Sequence, residues 1–315
     1  MSYTTPVLFL IFNKPSLTSI VFREIRKLKP RNLYIAADGP REDKTGEIET
    51  CAQTRKLVLE GIDWDCEVKT LLRQKNLGCG RAVSEAITWF FENVEAGVIL
   101  EDDCVPDPTF FDFCSALLAR YRDNHQVMHV GGANFQPKSL SGKSSYYFSN
   151  YVHVWGWATW RRAWQLYNYD IPGNFSQALE PNLKRKFSSA AERAYWMKSF
   201  DGMVFHNIDT WDIQWSYCVY KNDGISITPA VNLVSNIGYG PDATHTHHFD
   251  PKVAALPLAG INTIQHPPKV KILKKADNYT FKTYFRAGDT RFNRIKFQIG
   301  KKVPLIKKGY LKIFK

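Results

Sequence analysis

The run Val98-Ile99-Leu100-Glu101-Asp102-Asp103 sets three consecutive carboxylates at the end of an apolar stretch. Such a stretch suits a strand buried on both faces, and ligands collect at the carboxyl ends of strands in open α/β sheets. Carboxylate oxygens suit Mg²⁺ or Mn²⁺, hard cations that keep positions open for substrate phosphates. A diphosphate would therefore complete the site. The competing reading is a solvated acidic turn closed by Pro106 and Pro108, which the apolar lead-in makes less favoured.

Two downstream segments also carry chemistry. His153-Val154-Trp155-Gly156-Trp157-Ala158-Thr159-Trp160 gathers three tryptophans around a glycine. Their faces either stack on sugar rings or pack in the core, and packing is the commoner fate of any one tryptophan. Asp209-Thr210-Trp211-Asp212-Ile213-Gln214-Trp215 places carboxylates beside tryptophans. Desolvation disfavours the charged form of an acid in an apolar wall, which suits a general base working near neutral pH. Alternatively Asp212 is a first-turn helix residue held by the dipole. Beyond a polar glycine loop, Ser235 to Gly240, stand His245, His247 and His248. Of these, His245 is the preferred extra metal ligand, since neutral imidazole suits Mn²⁺; the alternative is an exposed loop.

Composition bounds the setting. With 315 residues, 44% of them hydrophobic, the chain can bury a full core as one large or two small domains. Met1 to Pro6 lacks the charged start of a signal peptide, and no stretch reaches the roughly 18 to 20 apolar residues of a membrane span. Six cysteines stand at no metal-binding spacing, which favours neither zinc nor disulfides and points to a reducing cytosol. The net charge of +12 is concentrated at the end: residues 269–315 hold fifteen Lys and Arg against Asp277 and Asp289. Aliphatic and aromatic residues thread between these lysines. The segment is expected either to lie on an anionic membrane or to pack on the body by its apolar face. A membrane-bound enzyme with a detachable tail should keep its donor chemistry when cut after Pro268. Nucleic acid is not an expected partner, because no recognition motif accompanies the charge.

The first third alternates strand and helix. Strands are expected over 6–12, 32–37, 66–71 and from Val98, with helices over 16–28, 47–60 and 80–91. This pattern predicts an α/β fold with a mostly parallel sheet between helices. Residues 1–110 then form the nucleotide-sugar half, 111–268 the acceptor-binding and catalytic half, and 269–315 the basic tail. Gly224 to Val234 is expected as a further strand.

In order along the chain come Phe12-Asn13-Lys14-Pro15 after a strand, Ala37-Asp38-Gly39 after the next, and Asn76-Leu77-Gly78-Cys79-Gly80 before a helix. Strand-Glu101-Asp102-Asp103, followed by Pro108, Phe110 and Phe111, completes the set. Together they resemble the nucleotide-sugar half of GT-A glycosyltransferases. The similarity is to the inverting N-acetylglucosaminyltransferase I type and to bacterial surface-polysaccharide enzymes, over roughly residues 6 to 245. The resemblance implies that Asp38 contacts the nucleobase and that Asn13 and Lys14 lie near the nucleotide. It further implies that Glu101 and Asp102 orient ribose and sugar, and that Asp103 coordinates the metal. Arg81 and Trp157 complete the donor-binding candidates. By the same resemblance Asp212 deprotonates the acceptor hydroxyl, with Asp209 in reserve. The implied reaction is metal-dependent transfer from a UDP-sugar, with N-acetylglucosamine favoured, to a glycan or lipid-linked acceptor. Inversion is favoured, although a retaining enzyme uses the same metal site. The chain would act in the cytoplasm at the inner membrane face. Two other classes remain open: a sugar-phosphate nucleotidyltransferase, which would ordinarily show a glycine-rich basic signature at Phe12 to Pro15, and a non-catalytic membrane- or polymer-binding protein.

Overall fold

Short runs of five or six residues, apolar except for the half-exposed Glu67–Leu72, alternate with helical stretches more than twice as long, and each run becomes a strand. The computed structural model describes residues 3–136, 140, 142–206, 208–239 and 256–285. In its first third β1 (Val7–Ile11), α1 (Pro15–Leu28), β2 (Asn32–Ala37), α2 (Glu47–Glu60), β3 (Glu67–Leu72), α3 (Gly78–Asn93) and β4 (Ala96–Glu101) follow in turn. The expected alternation is present, with β2 and α2 at the expected bounds and the other boundaries shifted by at most two residues. Pro15 pre-sets the backbone at the first turn of α1, and Lys29 closes it in the left-handed conformation at φ 51°.

The second half supplies β5 (Cys104–Pro106), α4 (Thr109–Arg120), β6 (Val127–Gly131), β7 (Tyr146–Ser149), β8 (Trp157–Trp160) and α5 (Arg161–Trp164). After these come α6 (Phe175–Lys186), α7 (Ala190–His206), α8 (Asp212–Lys221), β9 (Ile225–Pro229), β10 (Val234–Asn236) and α9 (Lys274–Thr280), with a single π-turn at Phe281–Phe285. One eight-stranded sheet in the order β3-β2-β1-β4-β8-β6-β9-β7 joins the two halves. Its first four strands are parallel, and β8 and β7 run against their neighbours. The sheet is mixed, mostly parallel and flanked by helices.

Alternation along the strands divides the interior. Val7, Phe9 and Ile11 of β1 face a layer with Val21, Phe22 and Ile25 of α1, whereas Leu8 and Leu10 face Ile87, Phe90 and Phe91 of α3. That second layer continues into an aromatic core built from Trp157, Trp164, Trp196, Trp211 and Trp215. Gly224 to Val234, expected as one strand, is two. Pro229 ends β9, the Asn232 side chain accepts from Asn134 N at 3.0 Å in the turn, and β10 pairs antiparallel with β5 in a separate ribbon.

At the centre of the aromatic core lies His129. Its Nδ1 accepts from Trp215 Nε1 at 3.2 Å, its Nε2 donates to the His153 carbonyl at 3.0 Å, and its ring stacks on Trp157 at 5.0 Å. Only the neutral ring satisfies both partners. Burial accordingly pushes His129 down to about 3 and His153 to about 4. A depressed folded-state value means stability that is present above pH 6.5 and lost as the pH falls below it.

The first residues of the segment expected as a basic tail pack on the body. Asp277 of α9 is buried and accepts from Ser149 Oγ at 2.6 Å, Asn150 N at 3.0 Å and Asn150 Nδ2 at 3.1 Å. Gln136 Nε2 donates to Ala276 O at 2.6 Å, and Phe285 stacks on Tyr151 at 5.0 Å. The tail boundary expected at residue 269 therefore falls inside the packed body, at least as far as Phe285. Residues 286–315 and His245 lie outside the described residues. No helix among the described residues is long and apolar enough to cross a membrane.

Two outcomes follow. A chain cut after Pro268 exposes the Tyr151 and Tyr195 faces that Phe281 and Phe285 cover and strands the donors of Ser149 and Asn150; calorimetry is expected to show a loss of roughly 10 °C in Tm or no cooperative transition. An unchanged Tm would mean that α9 contributes nothing. Between pH 7 and 5.5 the His129 contribution should fall by about 1 kcal/mol, so His129→Gln, which can still donate and accept, should give a shallower loss of stability on acidification than wild type.

Candidate active site

Leaving β1 the chain crosses outward through β2 to β3, and α3 then carries it back to β4 on the other side of β1. Crossovers diverge at that point, and the divergence opens a crevice at the carboxyl ends of β1 and β4. A cleft of about 420 Å³ lies there. Its lining comes from Phe12, Asn13 and Lys14 after β1, Asp38 and Arg41 after β2, Arg73, Asn76, Gly78 and Cys79 after β3, and Glu101, Asp102 and Asp103 after β4. Trp155, the segment Asp209 to Asp212, and Asn236 with Gly238 close it.

The three carboxylates of the triplet do different work. Asp102 Oδ2 accepts from Phe12 N and Thr18 Oγ1, both at 3.1 Å, which ties the β1–α1 loop to the end of β4. Asp103 Oδ1 accepts from Asn236 Nδ2 at 3.2 Å, and its main-chain oxygen accepts from Ile237 N at 2.8 Å. Gly238 allows this approach, since a Cβ there would stand 2.1 Å from Asp103 Oδ2. For Glu101, burial first and the charges of Asp103, Asp102 and Asp212 next raise the carboxyl well above its ordinary value. Burial and Asp103 push Asp102 up to about 7, and burial raises Asp103. Lys14 is the cation that counters all three.

Such crowding of partly desolvated negative charge is relieved by a cation. Among the described residues no three His, Cys, Asp or Glu side chains converge into a metal cage. A Mg²⁺-like ion that takes one or two carboxylates and fills its shell with water and phosphate oxygens needs no such cage. Asp103 and Glu101 offer that donor set.

Asp38 is held rather than free. Its carboxylate accepts from Gly39 N at 2.9 Å, Asn76 Nδ2 at 2.9 Å and Leu77 N at 3.0 Å, while burial raises its pKa. It thereby fixes the Asn76 to Gly78 loop beside β2. Asn13 Nδ2 donates to Glu47 Oε1 at 2.8 Å, and Arg41 pairs with the same buried Glu47.

Asp209 and Asp212 separate clearly. Asp209 accepts from Cys79 N at 2.9 Å and Gly80 N at 2.7 Å, capping α3 from a segment some 130 residues away in sequence. The Gly78 to Gly80 motif is what this contact requires: Gly78 has φ 81°, and a Cβ on it would lie 2.6 Å from Asp209 Oδ2. Asp212 opens α8 and faces the cleft, with one oxygen engaged by the Thr210 hydroxyl.

Two expected donor contacts are displaced. Trp157 is fully buried between His129, Trp211 and Trp215 and has no face to offer a ligand. Its neighbour two residues earlier, Trp155, lines the cleft instead. Arg81 does not line the cleft; its guanidinium lies 4.5 Å from the Tyr169 ring and 3.7 Å from Asp170. Arg41 and Arg73 do line it, and sequence reasoning overlooked both. Arg73 directly follows the carboxyl end of β3 and Arg41 stands four residues past that of β2, positions comparable to those of Asp38 and Lys14.

No protein family model and no curated protein matches this chain. Among solved structures, S. aureus TarS 1-349 is similar at 12% identity over 56% of this chain and 53% of that chain, with a TM-score of 0.36. A UDP-glucose pyrophosphorylase complexed with UDP-glucose is similar at 9% identity over 53% of this chain and 79% of that one, TM-score 0.31. The inositol-1-phosphate CTP transferase from T. maritima gives 10% identity over 52% and 74%, TM-score 0.31. The match spans about half the length of the TarS chain.

Asp209→Ala removes both acceptors from the first turn of α3 and should cost about 1 kcal/mol in urea unfolding. Gly80→Ala should cost more, because its Cβ would lie 2.5 Å from Tyr169 Oη and 2.7 Å from the Thr210 carbonyl oxygen. Equal stability of both variants with wild type would remove the cap from the account.

Proposed function

We propose that this chain is a GT-A type glycosyltransferase that moves a sugar from a nucleoside diphosphate to a hydroxyl acceptor with inversion. The observation that carries the reading is the convergence of Glu101, Asp103 and Asp212 on one cleft at the diverging ends of β1 and β4. In this reading Asp103 and Glu101 hold Mn²⁺ or Mg²⁺, which when bound neutralises charge on the departing diphosphate. Lys14 and Arg41 face the phosphates from the other side. The Asp38-fixed loop with Asn76 and Arg73 borders the nucleoside, and UDP with N-acetylglucosamine is the preferred donor. Asp212 accepts the acceptor hydroxyl proton as that oxygen attacks the anomeric carbon and the bond to the diphosphate breaks. Thr210 and the first turn of α8 orient its carboxylate. Attack from the face opposite the leaving group inverts the configuration and needs no covalent intermediate.

The acceptor is a glycan, and the basic residues 286–315 favour a lipid-linked one at the inner membrane face. On this reading the enzyme is cytoplasmic and peripheral, and its vesicle binding weakens as salt screens the lysines.

A panel of nucleotide sugars incubated with Mn²⁺ decides the class. UDP release supports transfer; pyrophosphate release from a nucleoside triphosphate and a sugar phosphate would establish activation instead, and neither product would mean a binding protein. Within the transferase outcome, Asp212→Asn should lose about 10² to 10⁴ in turnover with unchanged UDP affinity. Asp103→Asn should lose the Mn²⁺ dependence of turnover itself. If Asp212→Asn retains full turnover, the base lies elsewhere.

A further inference from the structure

The loop that enters β8 sorts its tryptophans. Gly156 takes φ 58°, and a Cβ there would stand 2.6 Å from Val234 Cγ2. The chain turns at that point, so Trp157 enters the core while Trp155 stays half-buried at the cleft. The ring of Trp155 meets Phe135 edge-on at 5.1 Å and Tyr239 at 5.9 Å. Phe135 lies 4.0 Å from Tyr284 of the π-turn and meets His153 edge-on at 4.7 Å. Phe135, His153, Tyr239 and Tyr284 are half-buried as well. Rings from distant stretches of chain thus make one connected, half-buried aromatic surface with Trp155 at its cleft end.

We propose that this aromatic surface is the acceptor subsite and that its occupant is a pyranose ring of a glycan. The inference rests on the reading of the cleft as a nucleotide-sugar site and adds the place and chemistry of the second substrate. Pyranoses present a flat C–H face and a polar edge. The aromatic surface matches the face, and the cleft containing Asp212 matches the edge. Strand order supplies the second support. The strands β2, β1, β4 and β8 are successive neighbours, so three steps of about 4.8 Å separate the Asp38 end from the Trp155 end, roughly 14 Å. A nucleoside at β2, its diphosphate at β4 and an acceptor at β8 lie in the order that transfer requires. The surface also gives the C-terminal segment a function beyond charge, since Tyr284 comes from it.

Saturation-transfer NMR with methyl β-glucopyranoside and methyl N-acetyl-β-glucosaminide, with and without UDP, tests the assignment directly. Wild type and Phe135→Tyr should saturate the ring C–H protons. Phe135→Leu, which keeps bulk but removes the flat face, should reduce the effect by roughly fivefold or more. UDP affinity by calorimetric titration should be the same in all three. Absence of saturation in wild type, or an equal signal in Phe135→Leu, overturns the subsite. Loss of UDP binding in Phe135→Leu overturns it too, by giving the surface to the nucleotide. A wild type that binds the glycosides but releases UDP from no donor leaves the sugar surface standing and refutes the transferase reading alone.

Discussion

Negative charge crowded at the end of one buried strand is the constraint around which the rest of the molecule is arranged. Glu101, Asp102 and Asp103 leave β4 in succession, and Asp212 adds its field from α8. Partial desolvation makes such a set expensive to hold ionised. The fold answers at Asp102 and Asp103 separately. Asp102 is turned toward Phe12 N and Thr18, where it locks a loop; the Asp103 carboxylate accepts from Asn236 Nδ2; Lys14 lowers the cost at all three. What remains uncompensated is directed at the cleft, and that residue of charge is the part available for chemistry.

The other wall depends on a different force. His129, Trp157 and Trp215 form a stacked and hydrogen-bonded centre with no water-facing edge. Because Trp215 sits one turn beyond Asp212 on α8, the same bond that satisfies the imidazole sets where that helix starts and where its first carboxylate faces. Asp209, three residues before, is fixed independently by α3. One short segment thus delivers a structural carboxylate and a cleft-facing one, each held by a different layer of the fold.

The parallel half of the sheet was legible because period and length agree there: each apolar run is too short for a helix and each amphipathic run too long for a strand. The acidic triplet and the Asn76 to Gly80 motif were equally readable, since strand ends and glycines have positional meaning. Orientation was not. Trp155 and Trp157 have the same local pattern, and only the left-handed turn at Gly156, set by the approach of Val234 of β10, decides which one faces the cleft. Asp209 and Asp212 likewise differ through a contact with α3 that no local window contains. Asp277 looked like one of two acids in a basic tail, yet its burial against Ser149 and Asn150 is a long-range event that brings the start of the tail into the body.

The central claim is that the carboxylates left facing the cleft hold a cation jointly with a nucleoside diphosphate. Titration calorimetry of UDP into the wild-type protein, with and without Mn²⁺, measures that coupling, and linkage requires it to be reciprocal. The account predicts that Mn²⁺ tightens UDP by at least about tenfold and that UDP tightens Mn²⁺ by the same factor. UDP affinity indifferent to Mn²⁺ and to Mg²⁺, or no UDP binding at all, would contradict it.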